Sequence, residues 1–356
     1  MKRTIAISVE QLYRPQPGGI ATYVRGLASG LVALGDESFD VIGFAPRGVP
    51  RDGVPLRTVH APVGVGLLTR VWPIWPLGVP RGADVVHATT MAGPFGGGSA
   101  TAVHSVAMHD LLWRDEPSSS TTAGIRFHEG RLKLIASREE LRVIVTAPGL
   151  VDRLADLGIA PHRVHAVRLG VNDLGEAASH ASVRERLERH GVRGPFTLYV
   201  GTREPRKNLE RLVEAHREAR SIDAEVGDLV VVGPSGWGDV STGDAKVLGT
   251  VPRALLNGLY RDATVVAYVP RAEGWGLPPV EALHAGSRVV ASDTTPSVHD
   301  NPEAVRVDPL DVHAIAQGLL TALTLADDDA SRSRRQASVA DLTWRNVALD
   351  HLAAWQ

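Results

Sequence analysis

The sequence predicts an α/β protein made of two doubly wound units, each a parallel sheet covered by helices on both faces. Three observations predict it. Apolar runs of strand length alternate with longer helical patterns, which is what parallel strands joined by helical crossovers produce. The alternation breaks once, over residues 170–194, where the chain turns polar, and then resumes. The 356 residues, 44% of them hydrophobic, are too many for one ordinary core, so two domains are expected.

The first strand is TIAIS (4–8), followed by the helical pattern IATYVRGLASGLVALG (20–35). FDVIGF (39–44), DVVHA (84–88), TAVHSVAM (101–108) and RVIVTA (142–147) continue the first sheet. Residues 173–194 carry one short polar helix between glycines and read as a linker. FTLYVG (196–201) opens the second unit, with a helix from Asn208 to about Arg220, then DLVVVG (228–233), TVVAYV (264–269), a short helix from Pro279 to Ala285, and RVVAS (288–292). LADDDA (325–330) reads as a solvated helix boundary. TWRNVALDHLAAWQ (343–356) predicts an amphipathic helix presenting Trp344, Val347, Ala348, Leu352 and Trp355 on one face. The expected division is therefore 1–172, a linker at 173–194, 195–340, and a terminal helix over 341–356 that packs back on the N-terminal domain.

Composition excludes several function classes. The formal net charge is -2 and no long basic run occurs, which weighs against nucleic acid and favours small-molecule chemistry. The absence of cysteine removes disulfides, thiol catalysis and cysteine metal clusters. Glu10 interrupts the N-terminus before any apolar stretch of signal-peptide length, and no run of about 18 apolar residues occurs, so a cytoplasmic, soluble protein is expected. Lysine occurs only at Lys2, Lys133, Lys207 and Lys246 in an arginine-rich chain, which draws attention to each one.

The segment RAEGWGLPPVEAL (271–283) follows a strand and sets Glu273 and Glu281 eight positions apart. Gly274 and Gly276 permit positive φ and close backbone approach, Pro278 and Pro279 suit a first helical turn, and Gly286 can end the helix. A helix N-terminus offers unpaired N–H groups to a phosphate. Glu281 can present two acceptor oxygens to neighbouring hydroxyls such as those of a ribose, and Glu273 would face something else bound in the same crevice. Acidic residues also decorate helix starts for structural reasons alone. LYVGTREPRKNLERLVEAH (198–216) places Arg206 and Lys207 just before a helix, a fork and a point charge suited to a diphosphate, or a solvated charged turn. QPGGIATYVRGLASGL (16–31) carries Gly18 and Gly19 after the first strand, where glycine also serves geometry alone. VAMHDLLW (106–113) puts His109 and Asp110 at a strand end, where a histidine is more often packed than catalytic.

The segment EGWGLPPVEALHAGSRVVASD resembles the paired-glutamate segment of retaining glycosyltransferases of family 4, enzymes with the two-domain GT-B fold. The resemblance implies two Rossmann-like domains facing a central cleft. It casts Glu273 against the donor sugar and Glu281 on the nucleotide ribose, with Gly274, Trp275, Gly276 and Leu277 beside the donor; Trp275 replaces the more usual phenylalanine. It gives Arg206 and Lys207 the diphosphate, Gly18 and Gly19 close approach to diphosphate and acceptor, and His109, with Asp110 as a lesser candidate, a contact near the reaction centre. VIVTAPGLVDRLADLGIAPHRVHAVRLGVN (143–172) also follows the family, with Thr146 and Ala147 where valine and serine are usual. GTVPRALLNGLYRDATVVAYVP (249–270) is similar to the stretch that brackets the base. The resemblance is stronger in the C-terminal half, so the donor is better specified than the acceptor.

The implied reaction moves a hexosyl unit, mannose favoured because GTREPRKN looks like mannosyltransferase members, from GDP-mannose or another nucleoside-diphosphate sugar to a hydroxyl of a glycan, lipid-linked or small-molecule acceptor, with retained configuration. No cofactor is implied beyond the sugar nucleotide as substrate, and with no strong metal motif, metal independence is expected. The alternatives are a GT-B epimerase or phosphorylase, separable by product, and a non-catalytic nucleotide-sugar binding protein, which would bind donor without turnover. A dehydrogenase reading fails because GVGLLT (64–69) ends in threonine and Asp84 begins a strand that the ribose-binding acid should end. In VWPIWPLG (71–78), Trp72 and Trp75 either pack in the core or form an exposed patch for acceptor or peripheral membrane contact.

Overall fold

The structure is a computed structural model describing residues 2–15, 18–35, 38–50, 53, 56–171 and 175–356. The chain divides into two compact units: Met1–Gly170 with Leu342–Gln356, and Val171–Asp341. The start of the expected linker (172–174) and Gln16 and Pro17 of the glycine segment lie outside the described residues.

The first unit holds seven parallel strands: β1 (Arg3–Ser8), β2 (Phe39–Ala45), β3 (Thr58–His60), β4 (Val85–Ala88), β5 (Val103–Met108), β6 (Arg142–Val145) and β7 (Val164–Ala166). Their order is β3-β2-β1-β4-β5-β6-β7. The second holds β8 (Phe196–Val200), β9 (Asp228–Val232), β10 (Lys246–Gly249), β11 (Val265–Tyr268), β12 (Val289–Ser292) and β13 (Ala304–Val307), in the order β10-β9-β8-β11-β12-β13. Each unit's first strand lies inside its sheet, and the winding reverses beside it, between β1 and β4 and between β8 and β11. Such a switch point opens a crevice at the carboxyl ends of the two strands, where doubly wound sheets bind ligands.

The inner strands read as near-continuous apolar runs because helices cover both faces; β4, β11 and β12 are buried at every residue. Four strands lack that signature in the sequence: β3, β7, β10 and β13. They are the four sheet edges, three or four residues long and partly exposed.

The terminal helix Trp344–Ala354 packs on the helix Gly18–Ala33 within the first unit. Gly26 and Gly30 make the approach possible: a methyl group at Gly26 would overlap the Trp344 indole, and one at Gly30 the Trp344 carbonyl. Arg3 Nη2 donates to the Trp355 carbonyl at 2.7 Å and the Arg142 guanidinium to that of Ala354, which satisfies two end carbonyls and sets positive charge at the helix C-terminus. The buried face is Trp344, Val347, Ala348, His351 and Ala354, with Trp355 at the C-cap. Leu352, expected on that face, is only partly buried, because the 3–4 residue spacing from Val347 and Ala348 falls on His351.

Residues 175–194 differ from the expected solvated linker. The helix His180–Glu188 buries Val183 and Leu187 and packs on the helix Arg253–Asp262, where Gly258 leaves room for the Val183 side chain. That stretch is part of the second unit.

Candidate active site

The second crevice is lined from both sides of the switch point. After β8 the chain makes one turn at Pro205–Lys207, and Asn208, the one non-glycine residue with positive φ (62°) among those described, starts the helix Leu209–Ile222. Its Nδ2 donates to the Val269 carbonyl at 2.9 Å and the Pro309 carbonyl at 2.7 Å, which ties this turn to the end of β11. The Arg271 N–H donates to the Arg206 carbonyl at 2.9 Å, a second tie between the two loops. Such bonds hold the backbone on either side of Lys207 and so aim its side chain.

Arg206, Lys207 and Glu273 thereby meet. Lys207 Nζ contacts Glu273 Oε2 and donates to the Tyr268 hydroxyl at 2.7 Å, and that hydroxyl donates to the same Oε2. Arg206 Nη1 donates to the Ala272 carbonyl at 2.8 Å and to Glu273 Oε2 at 3.3 Å, while its Nη2 donates to Glu204 Oε1 at 2.7 Å. The Gly274 N–H donates to Glu273 Oε1 at 3.1 Å. Burial works to raise the Glu273 carboxyl, but the Lys207 and Arg206 charges and the hydrogen bonds from Lys207 and Tyr268 overcome it and hold the group at about 2. Burial, and then the charge of Glu273, pushes the Tyr268 phenol well above its ordinary range, so it remains a donor.

Gly276, at φ 94°, turns the chain into the helix Leu277–His284; a side chain there would strain the backbone and press on Thr295. Of the two glycines that permit positive φ, only Gly276 uses it; Gly274 contributes the N–H that meets Glu273. The helix starts at Leu277, two residues before the expected Pro279, with both prolines in its first turn, and Gly286 follows its end at φ 82°. Trp275 is buried. Glu281, buried on this helix, accepts from Arg253 Nη2 at Oε1 and from the Tyr260 hydroxyl at Oε2, each at 2.9 Å.

The first crevice is built mainly of histidines and hydroxyls, with two carboxylates beside them: Glu10, buried after β1, accepts from the Thr90 hydroxyl at 2.6 Å, and Asp110 follows His109. Ser8 Oγ accepts the Thr89 N–H at 2.9 Å and so joins the ends of β1 and β4. His109 follows β5; its Nε2 bonds the Thr89 carbonyl at 2.9 Å, and the Thr146 hydroxyl donates to the His109 carbonyl at 3.0 Å. The bond to a carbonyl assigns the proton to Nε2 and leaves Nδ1 as an acceptor. Burial lowers the imidazole pKa, with Thr89 and Asp110 opposing it. Asp110 Oδ1 accepts the Leu112 N–H at 3.0 Å, a local turn bond.

Gly18 and Gly19 open the helix on which Tyr23 lies, and the Tyr23 ring meets the His109 ring edge-on, centroids 4.9 Å apart. The Tyr23 hydroxyl lies 2.8 Å from Nε2 of both His87 and His351. His351 Nδ1 bonds the Val347 carbonyl, His87 Nδ1 bonds Ser105 Oγ at 2.8 Å, and Trp355 Nε1 donates to the same Ser105 oxygen at 2.8 Å. One proton order satisfies every atom: Trp355 to Ser105, Ser105 to His87, His87 to Tyr23, Tyr23 to His351, and His351 to Val347. Both histidines are neutral in that order. Burial lowers the His351 pKa to about 4 and that of His87 well below its ordinary value.

Residues 194–325 match the family described as "Glycosyl transferases group 1", and residues 18–170 match the "Glycosyl transferase 4-like domain". The chain belongs to the group 1 glycosyltransferases. It is 32% identical over 177 residues to O-antigen chain mannosyltransferase B of Escherichia coli, a match covering 45% of this chain and 45% of that protein's length. It is 29% identical over 337 residues to D-inositol 3-phosphate glycosyltransferase 1 of Catenulispora acidiphila, covering 81% and 78% of the two. The fold is GT-B, similar to sucrose-phosphate synthase from Thermosynechococcus elongatus with a TM-score of 0.72 at 22% identity over 99% of this chain and 98% of that one.

In this glycosyltransferase, Arg206, Lys207, Glu273 and Gly274 form one cluster, and Glu281 sits in a second with Arg253 and Tyr260. Gly18, Gly19, His109 and Asp110 belong to the other unit, and Tyr23 relates the first helix to His109. Sequence reasoning missed Glu204, Asn208, Tyr268, Arg253 and Tyr260, and the partners Tyr23, His87 and His351. Tyr268 carried a usable signal as the last residue of a buried strand at the switch point. The two tryptophans divide: Trp72 is in the core beside Phe44, with Nε1 donating to the Leu77 carbonyl at 2.9 Å, whereas Trp75 is 62% exposed next to Ile74 at 90%. No helix among the described residues is long and apolar enough to cross a membrane.

Proposed function

We propose that this glycosyltransferase is a retaining hexosyltransferase that moves a hexose, mannose foremost, from a nucleoside-diphosphate sugar to a hydroxyl of a glycan, lipid-linked or small-molecule acceptor. The observation that carries the proposal is the pairing of Arg206 and Lys207 with Glu273 across the β8–β11 switch point. A diphosphate brings more negative charge than one carboxylate and competes with Glu273 for both cations. Glu273, released from Lys207, then accepts from hydroxyls of the donor sugar. Glu281, its oxygens oriented by Arg253 and Tyr260, accepts from the ribose.

In the reaction the bond from the anomeric carbon to the diphosphate oxygen breaks and its electron pair leaves with the diphosphate. The acceptor oxygen bonds the same face of that carbon, and its proton passes to the departing phosphate oxygen. Arg206 and Lys207 stabilise the charge that builds there, in a site where each such donor contributes about 2.7 to 4 kcal/mol. Neutral His109 offers Nδ1 as an acceptor to a sugar hydroxyl. The two side-chain cations supply the positive charge the leaving group needs, so turnover is expected to persist in chelator.

The mannosyltransferase among the relatives supports the choice of sugar, and the matched length leaves the acceptor to experiment. Melting the protein with GDP-, UDP- and dTDP-sugars tests the donor, because a ligand at a hundredfold excess over Kd stabilises by about 2.7 kcal/mol. GDP-mannose is expected to give the largest shift, and Lys207→Ala to abolish it. Glu273→Ala protein that melts normally yet turns over donor near the wild-type rate would overturn the assignment.

A further inference from the structure

The second unit contains a cavity of about 1170 Å³ away from Arg206, Lys207 and Glu273. It lies at the opposite end of β8: Phe196, the first residue of the strand, lines it, while Arg206 and Lys207 follow the last. Four steps of ~3.3 Å set the two ends of this strand about 13 Å apart. The remaining walls come from the helices His180–Glu188, Arg253–Asp262 and Asp329–Ala337, from the end of Leu277–His284, and from the segments around Gly175 and over 192–195.

Its lining combines an apolar floor with a cationic rim. Val183, Leu187 and Phe196 form buried parts of the floor. His180, Val183, Arg184 and Leu187 recur at the spacing of one helix face, which turns Arg184 to the same side as the floor residues. Arg193, Arg261 and Arg332 also line the cavity, and Asp262 is its one acidic lining residue. Asp262 is engaged already, by Arg261 at 2.7 Å and His180 at 2.8 Å. Arg332 is held by Asp327 at 2.6 Å. Those pairs cancel, and the surplus is the positive charge of Arg184 and Arg193. A concave site with an apolar floor and a few convergent guanidinium groups suits a molecule with an organic body and a phosphate, since arginine binds phosphate as a fork.

We infer that this cavity is a second ligand site of the glycosyltransferase, taking a small phosphorylated organic anion whose phosphate is held by Arg184 and Arg193. The site is not remote from the donor residues in the network sense: Tyr260, whose hydroxyl meets Glu281, forms part of its wall, and His284 lies one turn beyond Glu281. The binding claim does not rest on the identity of the donor.

Calorimetric titration of the full chain with glucose 6-phosphate, and separately with inorganic phosphate, tests it. The Lys207→Ala background removes the diphosphate site from the measurement. There, glucose 6-phosphate is expected to bind one equivalent, more tightly than inorganic phosphate, and R184E with R193E to weaken it at least tenfold. Both arginines are exposed and outside the donor machinery, so the double variant is expected to keep its melting temperature and its basal turnover; R184Q with R193Q serves the same purpose should charge reversal disturb the fold. No binding at millimolar probe, or binding indifferent to both arginine pairs of substitutions, overturns the inference. Loss of binding in Lys207→Ala alone places the anion at the donor site and also overturns it.

Discussion

The two sheets share a strand order and a switch point, yet one crevice is built around paired charges and the other around a network of neutral histidines, with Glu10 and Asp110 beside it. Beside β8 and β11, two cations and two carboxylates lie in contact, with Glu273 held ionised by Lys207 and Arg206. Beside β1, β4 and β5, three histidines, a tyrosine, a serine and a tryptophan are neutral and ordered by their protons. The difference teaches that one architecture can be tuned either way by the few residues that follow its strands. Charged partners can be given up to an incoming anion. A neutral chain closed at both ends on the terminal helix cannot be opened without orphaning buried groups.

The comparison breaks most sharply at Lys207. Lys207→Ala is expected to lower turnover by about 10²- to 10³-fold, the scale seen when one preorganised donor is lost. Nucleotide release from the preferred donor, assayed beside a melting curve, checks that the loss is chemical.

Acid titration should separate the two crevices. The His351 pKa is lower in the fold than its ordinary 6.5, so below that value the unfolded chain takes a proton that the folded chain refuses. The neutral-histidine contribution is therefore complete above pH 6.5 and is lost as pH falls towards about 4, an effect on the order of 3 kcal/mol. Glu273 is depressed from 4.5 to about 2, so its contribution is present above 4.5 and lost only as pH falls towards 2. Amide exchange read along the full chain should show the helix Trp344–Ala354 loosening at a higher pH than the turn 204–208. Simultaneous loosening would contradict the contrast between the two crevices.

Tyr23→Phe keeps the ring against His109 but leaves buried nitrogens of His87 and His351 without their partner. A cost of about 1–3 kcal/mol is expected, measured as a lower denaturation midpoint, because unsatisfied buried groups lose their hydration as well as their bond. The smallest effect belongs to Arg253→Ala. That side chain is 41% exposed, so stability should change by less than about 1 kcal/mol, while the donor KM rises as Glu281 loses one of its two orienting donors.

Much of this was legible in the residues. Runs such as FTLYVG and TVVAYV identify inner strands because burial on both faces demands continuous apolar sequence. The edge strands β3, β7, β10 and β13 were not legible, because half-exposed strands of three or four residues carry no run and no clean alternation. Arg206, Lys207, Glu273 and Glu281 stood out by type and spacing within short segments. Arg253, 28 residues before Glu281, had no local pattern connecting it to that carboxylate. The same holds for Tyr23, His87 and His351, whose bonds span 64 and 328 positions.

By itself, the sequence determined the two doubly wound units, the break between them and the residue types at the ends of the central strands. Periodicity and glycine placement act over a few residues, so one chain is enough to read them. Tertiary structure alone decided that residues 175–194 bury a helix face, that His351 rather than Leu352 fills the centre of the terminal helix, and that Lys207 rests on Glu273. Each of those depends on which distant segment arrives as a neighbour, and burial then decides the charge state: ionised where cations arrive, neutral where only other neutral donors and acceptors do.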